Sequence, residues 1–249
     1  MATGESIDAT QLLPLVRASI GEFVQTLPSD ARPLLQTQAF ASGLTAFLVS
    51  LARANTAMNL TADANPHHLL TTHVRDSLAP LLAGMDAPAS LLDIGTGGGF
   101  PAIPLALAWP ECEVTMSESI GKKARFLQSL VDELPLRHAR VVHGRVEDSA
   151  THLPPHAFAM ITARGVAHIA TVLQYALPLL AGDGRLVLWK GERDLAELHD
   201  PPFVAKLQRL HCSATVVGYA LPGIERKSKL VILQMTPAIV GWPNRRNGP

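Results

Sequence analysis

Residues 91–108, LLDIGTGGGFPAIPLALA, decide the fold because they join three elements in a recognisable order. An apolar run ends in Asp93, a glycine-rich turn follows, and apolar residues at helical spacing come next. This order predicts a strand, a ligand-binding turn and a helix. Pro101 and Pro104 fit a helix that begins near Phe100, because the N–H groups of a first helical turn have no intrahelical partner.

From residue 89 onward, apolar runs of strand length alternate with helical segments. Such alternation predicts an α/β domain with a mostly parallel, doubly wound sheet. Only a turn separates the last two apolar runs, which predicts an antiparallel hairpin at one sheet edge. The predicted strands are residues 90–95, 112–118, 139–144, 157–163, 184–191, 214–220 and 229–235, and the predicted helices are 101–108, 119–134, 167–180 and 203–210.

The first third of the chain lacks the alternation that is typical of strands. Apolar residues recur at helical spacing within 12–24 and again within 34–51. A third helix is predicted at 66–82, with Asn65 as its N-cap and Pro66 at its first position. We therefore expect a helical cap at 1–86, a cofactor-binding domain at 87–236 and a loose tail, rich in proline and glycine, at 237–249.

Composition excludes several classes of protein. The 249 residues carry no net charge, which argues against a protein that coats nucleic acid non-specifically. Two distant cysteines, Cys112 and Cys212, exclude a disulfide framework and a thiolate zinc site, and the scattered histidines predict no metal site. No signal peptide or membrane-spanning run is recognisable, so we expect a cytoplasmic protein.

Three classes of ligand bind to a glycine-rich turn in such a sheet: nucleoside phosphates, dinucleotides and S-adenosylmethionine (SAM). No Walker lysine follows the turn, and the dinucleotide pattern fails from Gly95 and is met only weakly from Gly97. Asp93 would repel a pyrophosphate but attract the α-ammonium group of SAM. No lysine or arginine occurs between Arg75 and Lys122. The turn therefore favours SAM.

Two further strand ends carry polar residues suited to an adenosyl group. Glu118 ends the second predicted strand and could accept hydrogen bonds from the ribose hydroxyls, in SAM as in NAD. Residues 145–148, RVED, follow the third strand, where a main-chain N–H and a side chain could meet the adenine edge. Because the carboxyl ends of parallel strands lie at one edge of the sheet, these groups are expected to form one site.

These residues resemble the RsmG (GidB) family of small-subunit ribosomal RNA guanine-N7 methyltransferases. The resemblance extends from about residue 55 to residue 235. Its most specific motifs are MNLTA (58–62), HVRDSL (73–78), DIGTGGGFPAIPLA (93–106), ESIGKKARFL (118–127), RVED (145–148), TARG (162–165) and WKG (189–191). The chain departs from the usual pattern at Ala102, where glycine is common, at Glu118, where aspartate is more frequent, and at Lys123, where arginine is.

The resemblance implies a class I SAM-dependent methyltransferase fold, Rossmann-like, with a seven-stranded sheet, an antiparallel edge strand and an N-terminal helical extension. It places SAM against the glycine turn, with Arg164 beside the methyl-transfer site. Together with the analysis above, it gives as cofactor-binding residues Asp93, Gly95, Gly97, Phe100, Glu118, Val146, Glu147 and Arg164. The implied substrate is a guanine of 16S ribosomal RNA, which we expect in a ribosomal particle, with the protein acting as a monomer.

Guanine N7 carries a lone pair and no proton, so its methylation needs no general base. Catalysis then consists of holding N7 in line with the methyl group, and Arg164 could bind guanine O6 or a phosphate. The positive residues expected to bind the RNA are Lys122, Lys123 and Arg125 at the start of the helix after Glu118, Lys190 at the end of the fifth strand, and Arg226 before the final strand. His73 and Asp76, three residues apart on one helix, are expected to pin the cap to the cofactor pocket.

Two other functions stay open at this point. An NAD(P)-dependent oxidoreductase is supported by the weak dinucleotide pattern and by Glu118, but the chain has no Tyr-x-x-x-Lys pair. A non-catalytic ribosome-binding factor with a vestigial pocket is opposed by the presence of Asp93, Gly95 and Arg164. Calorimetric titration with SAM and with NADH distinguishes a methyltransferase from an oxidoreductase. A methyl-transfer assay distinguishes a methyltransferase from a non-catalytic factor.

Overall fold

The structure of the protein, a computed structural model, describes residues 8–58, 60–61, 65–151, 153–225 and 228–236. Its first part is helical, as the apolar spacing predicts: α1 spans Ala9–Val24, α2 spans Arg32–Leu35 and α3 spans Gln38–Met58. Asp8 caps α1, because its carboxylate accepts a hydrogen bond from the N–H of Thr10 at 3.0 Å. The helical nature of this part is therefore confirmed.

The third predicted helix has the predicted limits and cap but is not a single regular helix. Asn65 Oδ1 accepts the N–H groups of His67 at 3.0 Å and His68 at 3.3 Å, as an N-cap does. The segment then consists of α4 (Pro66–His68), a π-helix (Leu69–Val74), α5 (Arg75–Ser77) and α6 (Ala79–Leu82). It breaks at Leu78, because Pro80 has no N–H to bond to the carbonyl of Asp76 four residues earlier.

Seven strands form one sheet in the order β3-β2-β1-β4-β5-β7-β6. They are β1 (Ser90–Ile94), β2 (Glu113–Glu118), β3 (Ala139–His143), β4 (Phe158–Arg164), β5 (Leu180–Lys190), β6 (Cys212–Tyr219) and β7 (Ser228–Met235). The predicted hairpin of the last two strands lies at the edge. The antiparallel strand is β7, which lies one position inside the edge, between β5 and β6. The strand order reverses between β1 and β4, where doubly wound sheets bind ligands.

The helices of the α/β part are α7 (Ala102–Ala108), α8 (Gly121–Glu133), α9 (Ile169–Ala176) and α10 (Pro201–Arg209), with 3₁₀ helices at Val146–Thr151 and Glu192–His199. Pro101 is the N-cap residue of α7 and Pro104 lies in its first turn, so neither proline removes a helical hydrogen bond. The helix predicted at 167–180 is too long. Pro178 cannot continue it, and β5 begins at Leu180 instead of residue 184.

Apolar side chains cover both faces of the sheet. One cluster combines α1 and α3 with α7, α8 and β1, and it includes Phe23, Phe47 and Trp109. The other lies under α9 and α10 and includes Leu173 and Phe203. The N-terminal helices thus share a core with the sheet; the boundary predicted at residue 86 stays a prediction, and the tail predicted at 237–249 lies outside the described residues.

Within the described part of the chain, no helix is both long enough and apolar enough to span a membrane.

Candidate active site

The glycine turn after β1 adopts a conformation that requires glycine. Gly95, Gly97 and Gly99 have φ angles of +69°, +62° and +104°, a region that side chains disfavour. The N–H of Gly95 donates to the carbonyl of Ser117 at 2.8 Å, which ties the turn to β2. A Cβ on Gly99 would lie 2.9 Å from the ring of Phe47 in α3. The turn is therefore held by both the sheet and the N-terminal helices.

Asp93, in β1, is fully buried beside this turn. Thr162, its partner in the register of β4, donates its hydroxyl to Asp93 Oδ1 at 2.7 Å. Within the described residues, Oδ2 of this carboxyl accepts no hydrogen bond. Burial raises the pKa of Asp93 to about 7. A buried carboxyl with one unpaired oxygen suits a ligand that brings a positive donor, such as the α-ammonium group of SAM.

Glu118, the last residue of β2, is 5% exposed and contacts the turn directly. Its Oε2 accepts the N–H of Gly97 at 2.8 Å, and its Oε1 accepts the N–H of Ile120 at 2.8 Å. Each carboxylate oxygen can accept a further hydrogen bond, so a ribose could still bind there. The role of Glu118 in fixing the turn was not predicted from the sequence, although its position at a strand end beside the glycines was the available signal.

Val146 and Glu147 follow β3, the strand that pairs with β2 and ends beside Glu118. The N–H of Gly144 donates to the carbonyl of Glu118 at 3.0 Å, which joins the ends of β2 and β3. The 3₁₀ helix then begins with buried Val146, while Glu147 is exposed and lies 3.5 Å from Arg145. Glu118 and the segment with Val146 and Glu147 thus lie at the ends of neighbouring strands, and their contacts with a cofactor stay a prediction.

Arg164, the last residue of β4, is paired with the segment that carries the HVRDSL motif. Its Nη1 donates to Asp76 Oδ2 at 3.1 Å. Its Nη2 lies 3.1 Å from His73 Nδ1, which must accept, because a guanidinium can only donate. The guanidinium carbon lies 5.5 Å from the centroid of the Phe100 ring, within cation–π range. His73 and Asp76 therefore contact Arg164 and connect α4–α5 to the end of β4.

Asp76 is also the centre of a network with Tyr219 and Trp189, two partners that the sequence analysis did not identify. Tyr219 donates its hydroxyl to Asp76 Oδ1, and Trp189 Nε1 donates to the main-chain carbonyl of Asp76 at 2.8 Å. That carbonyl is the one left without a helical donor by Pro80. Burial raises the pKa of Tyr219, and the charge of Asp76 raises it further, so the phenol stays a donor. The HVRDSL and WKG motifs, which contain Asp76 and Trp189, were the sequence signals for this network.

The positive residues expected to bind RNA have different surroundings. Lys122 Nζ donates to the carbonyl of Met58 at 2.9 Å, Lys123 is half-buried, and Arg125 is exposed on the first turns of α8. Lys190 follows Trp189, the residue of β5 that pairs with Arg164 of β4. Its Nζ donates to the carbonyl of Ala167 at 2.6 Å. Arg226 lies outside the described residues. Lys122, Lys123 and Arg125 thus follow the carboxyl end of β2, and Lys190 is the last residue of β5.

Neither cysteine is suited to nucleophilic chemistry. Burial raises the pKa of Cys112 to about 12 and that of Cys212 to about 11, so both thiols stay protonated at neutral pH. In the parts of the chain that the structure describes, no group of three or more His, Cys, Asp or Glu side chains lies close enough to hold a metal ion.

Comparison with solved structures shows the class of fold. The O-methyltransferase TomG from Streptomyces achromogenes, solved in complex with SAM, is 22% identical with a TM-score of 0.52, over 76% of this chain and 89% of TomG. The O-methyltransferase from Bacillus cereus, solved with SAH, is 20% identical with a TM-score of 0.52, over 77% of this chain and 91% of that one. The class I SAM-dependent methyltransferase fold is therefore confirmed.

Comparison of sequences identifies the family. The model of the GidB family, rRNA small subunit methyltransferase G, matches residues 41–220. A ribosomal RNA small subunit methyltransferase G from Roseiflexus castenholzii is 37% identical over 194 residues, 76% of this chain and 81% of that protein. One from Xanthomonas axonopodis pv. citri is 34% identical over 223 residues, 90% of this chain and 97% of that protein. This chain therefore belongs to the rRNA small subunit methyltransferase G family.

Proposed function

We propose that this protein transfers the methyl group of SAM to N7 of a guanine in small-subunit (16S) ribosomal RNA. Membership of the family supports SAM-dependent methylation of small-subunit ribosomal RNA. The choice of guanine N7 follows the resemblance of the site motifs. The observation that carries the proposal is the buried, unpaired Oδ2 of Asp93 beside a turn in which Gly95, Gly97 and Gly99 have positive φ angles.

The residues around the turn fit SAM. Asp93 would bind the α-ammonium group, and main-chain groups of Gly95 and Gly97 would lie against the amino-acid part of the cofactor. Glu118 would bind the ribose hydroxyls with the lone pairs that Gly97 and Ile120 leave unused. The further residues proposed to hold the cofactor are Phe100, Val146, Glu147 and Arg164. When bound, SAM supplies an electrophilic methyl group on a sulfonium.

The protein contributes alignment to the reaction, because guanine N7 has no proton to remove. Asp76 and His73 fix the guanidinium of Arg164 on one side, and Phe100 lies under it. Its Nε–H has no acceptor within the described residues and is available to guanine O6 or to a phosphate. We assign to Arg164 the positioning of the guanine.

We also propose an assembled ribosomal particle as the substrate, with the protein acting as a monomer in the cytoplasm. A chain without net charge has little general attraction to a polyanion, so recognition depends on shape and on local positive groups. Lys122, Lys123, Arg125, Lys190 and Arg226 are the proposed local groups.

The test uses small subunits from cells that lack this protein, incubated with SAM that carries a tritiated methyl group. We expect label in 16S ribosomal RNA, recovered as 7-methylguanine after complete digestion. Naked 16S RNA should be methylated more slowly. Label in another nucleotide contradicts the N7 assignment. If calorimetry shows binding of NADH but not of SAM, the proposed methyltransferase activity is wrong.

A further inference from the structure

A groove of about 510 Å³ lies between the C-terminal half of α3 and the outer face of α8. Its walls carry three cations, Arg53 on α3 and Lys122 and Arg125 on α8. Within the described residues, none of the three forms an ion pair with a carboxylate. In a chain without net charge, three cations in one groove create a local positive potential that attracts anions.

Hydrogen bonds between the two walls fix the groove near both ends. Ser50 Oγ donates to Glu133 Oε2 at 3.3 Å, and Lys122 Nζ donates to the carbonyl of Met58 at 2.9 Å. Glu133, the acidic residue of the lining, is thus engaged at one end. Arg53 and Arg125 lie between these two contacts along their helices. A groove of fixed width with cations along it suits a chain of regularly spaced negative charges.

One end of the groove adjoins the candidate active site. α8 begins three residues after Glu118, so its first turns, with Lys122, lie at the carboxyl edge of the sheet. On the other wall, α3 ends at Met58, and the carbonyl of Leu60 lies 3.5 Å from the position of a Cβ on Gly98 in the glycine turn. Nucleotides that flank a guanine at the candidate active site are therefore able to enter this groove.

We infer that the groove binds the sugar–phosphate backbone of the ribosomal RNA beside the target guanine, with Arg53 and Arg125 contacting phosphates. Arginine suits this role because its fork of donors binds phosphate in a bidentate manner. Such contacts set the register of the RNA without reading its sequence. The inference rests on the proposed function, and it adds Arg53 and the wall formed by α3 to the RNA-binding surface.

The experiment measures equilibrium binding without SAM and without turnover, so that it is independent of methyl transfer. Binding of the full-length protein to small subunits and to protein-free 16S RNA is measured over a range of salt concentrations. The variants are Arg53→Glu, Arg125→Glu, their combination, and Arg53→Lys, which keeps the charge. Arg209→Glu, at an exposed position at the end of α10 on the other face of the sheet, is the matched control. Affinity for SAM reports whether each variant is folded.

We expect Arg53→Glu and Arg125→Glu each to weaken binding to both RNAs about tenfold and to lower the salt slope by about 1. Arg53→Lys should keep most of the affinity, and Arg209→Glu all of it. Unchanged affinity and salt slope in the double variant overturn the inference, whether or not the wild type methylates. Weaker binding to subunits with unchanged binding to 16S RNA also overturns it, because the occupant is then a ribosomal protein.

Discussion

At the scale of single residues, the carboxyl of Asp93 connects cofactor binding to pH. Burial raises its pKa to about 7, so in the free protein it is largely protonated below that pH. An ammonium group binds best to the ionised carboxylate. We therefore expect the affinity for SAM to rise by up to about tenfold per pH unit between about pH 5 and about pH 7. Above about pH 7 the affinity should level off. Calorimetry in buffers of different ionisation enthalpy should show proton release near pH 6.

Asp93→Asn provides the matched variant, since it keeps the shape and the hydrogen bond with Thr162 but cannot ionise. We expect it to bind SAM more weakly at pH 8 and with no rise between about pH 5 and about pH 7. A wild-type affinity that does not change over this range would mean that Asp93 does not face the ammonium group. The assignment of this residue to the amino-acid part of the cofactor would then be wrong.

Tyr219 is a positioning residue for Arg164, because it acts through Asp76. Its hydroxyl donates a hydrogen bond to the carboxylate of Asp76, which also accepts a hydrogen bond from Arg164 Nη1. Tyr219→Phe keeps the ring and removes this donor, which loosens Asp76 and hence the guanidinium. We expect kcat to fall about tenfold, equivalent to about 1.4 kcal/mol, and the affinity for SAM to fall by a smaller factor, because Arg164 is also among the residues proposed to hold the cofactor. Single-turnover rates on small subunits measure the effect.

The control for this prediction is Tyr175→Phe, the only other tyrosine in the chain, which lies half-buried in α9. It should leave both kcat and the affinity for SAM as in the wild type. If the Tyr219→Phe protein keeps the wild-type kcat, Asp76 holds Arg164 without the hydrogen bond from Tyr219.

At the scale of elements, α9 depends on a cap from outside its own sequence. His168 at its N-cap position provides no side-chain hydrogen bond to it. Glu197, from the 3₁₀ helix Glu192–His199, instead accepts the N–H groups of Ile169 at 3.2 Å and Ala170 at 3.1 Å. Partial burial raises the pKa of Glu197, but these main-chain hydrogen bonds lower it, and the net pKa is below its ordinary value.

A lowered folded-state pKa means that this stabilisation is complete above the unfolded-state pKa and is lost as the pH falls through the folded-state value. Glu197→Gln should therefore lower the free energy of unfolding by about 1 kcal/mol at pH 7. The difference from the wild type should shrink below about pH 4, where the wild-type carboxyl also becomes neutral. Urea unfolding at both pH values checks this, with exposed Glu111→Gln as the control. An equal difference at both values would exclude a charge effect.

Local patterns predicted most elements, and contacts between distant residues account for what was missed. Asn65 followed by a proline specifies its own helix start, and the prolines of α7 are tolerated for a reason visible in the sequence. The break at Leu78 was also readable, since Pro80 follows it. The contact of Asp76 with Tyr219 spans 143 positions and depends on β7 lying between β5 and β6. No spacing rule gives that arrangement.

At the scale of the whole molecule, Arg75 connects the N-terminal helices to the C-terminal hairpin. It is 2% exposed and donates to Ser19 Oγ at 3.1 Å and to the carbonyls of Ser19 at 2.7 Å and Pro222 at 3.1 Å. It also pairs with Glu22 at 2.7 Å. Because these partners come from both ends of the chain, Arg75 adds to the shared apolar core that joins the predicted cap to the sheet.

A shared core and a buried connection of this kind predict that the cap and the α/β domain unfold together. Arg75→Met should lower the free energy of unfolding by about 3 kcal/mol, because it leaves buried acceptors without donors. Glu22→Gln should change it by less than about 1 kcal/mol, since the carboxylate of Glu22 is 68% exposed and solvent screens the pair. Denaturation followed by both circular dichroism and tryptophan fluorescence should give one coincident transition for all three proteins. A core that continues across the boundary at residue 86 cannot unfold in two steps. Two separate transitions in the wild type would therefore contradict this prediction and indicate that residues 1–86 fold independently.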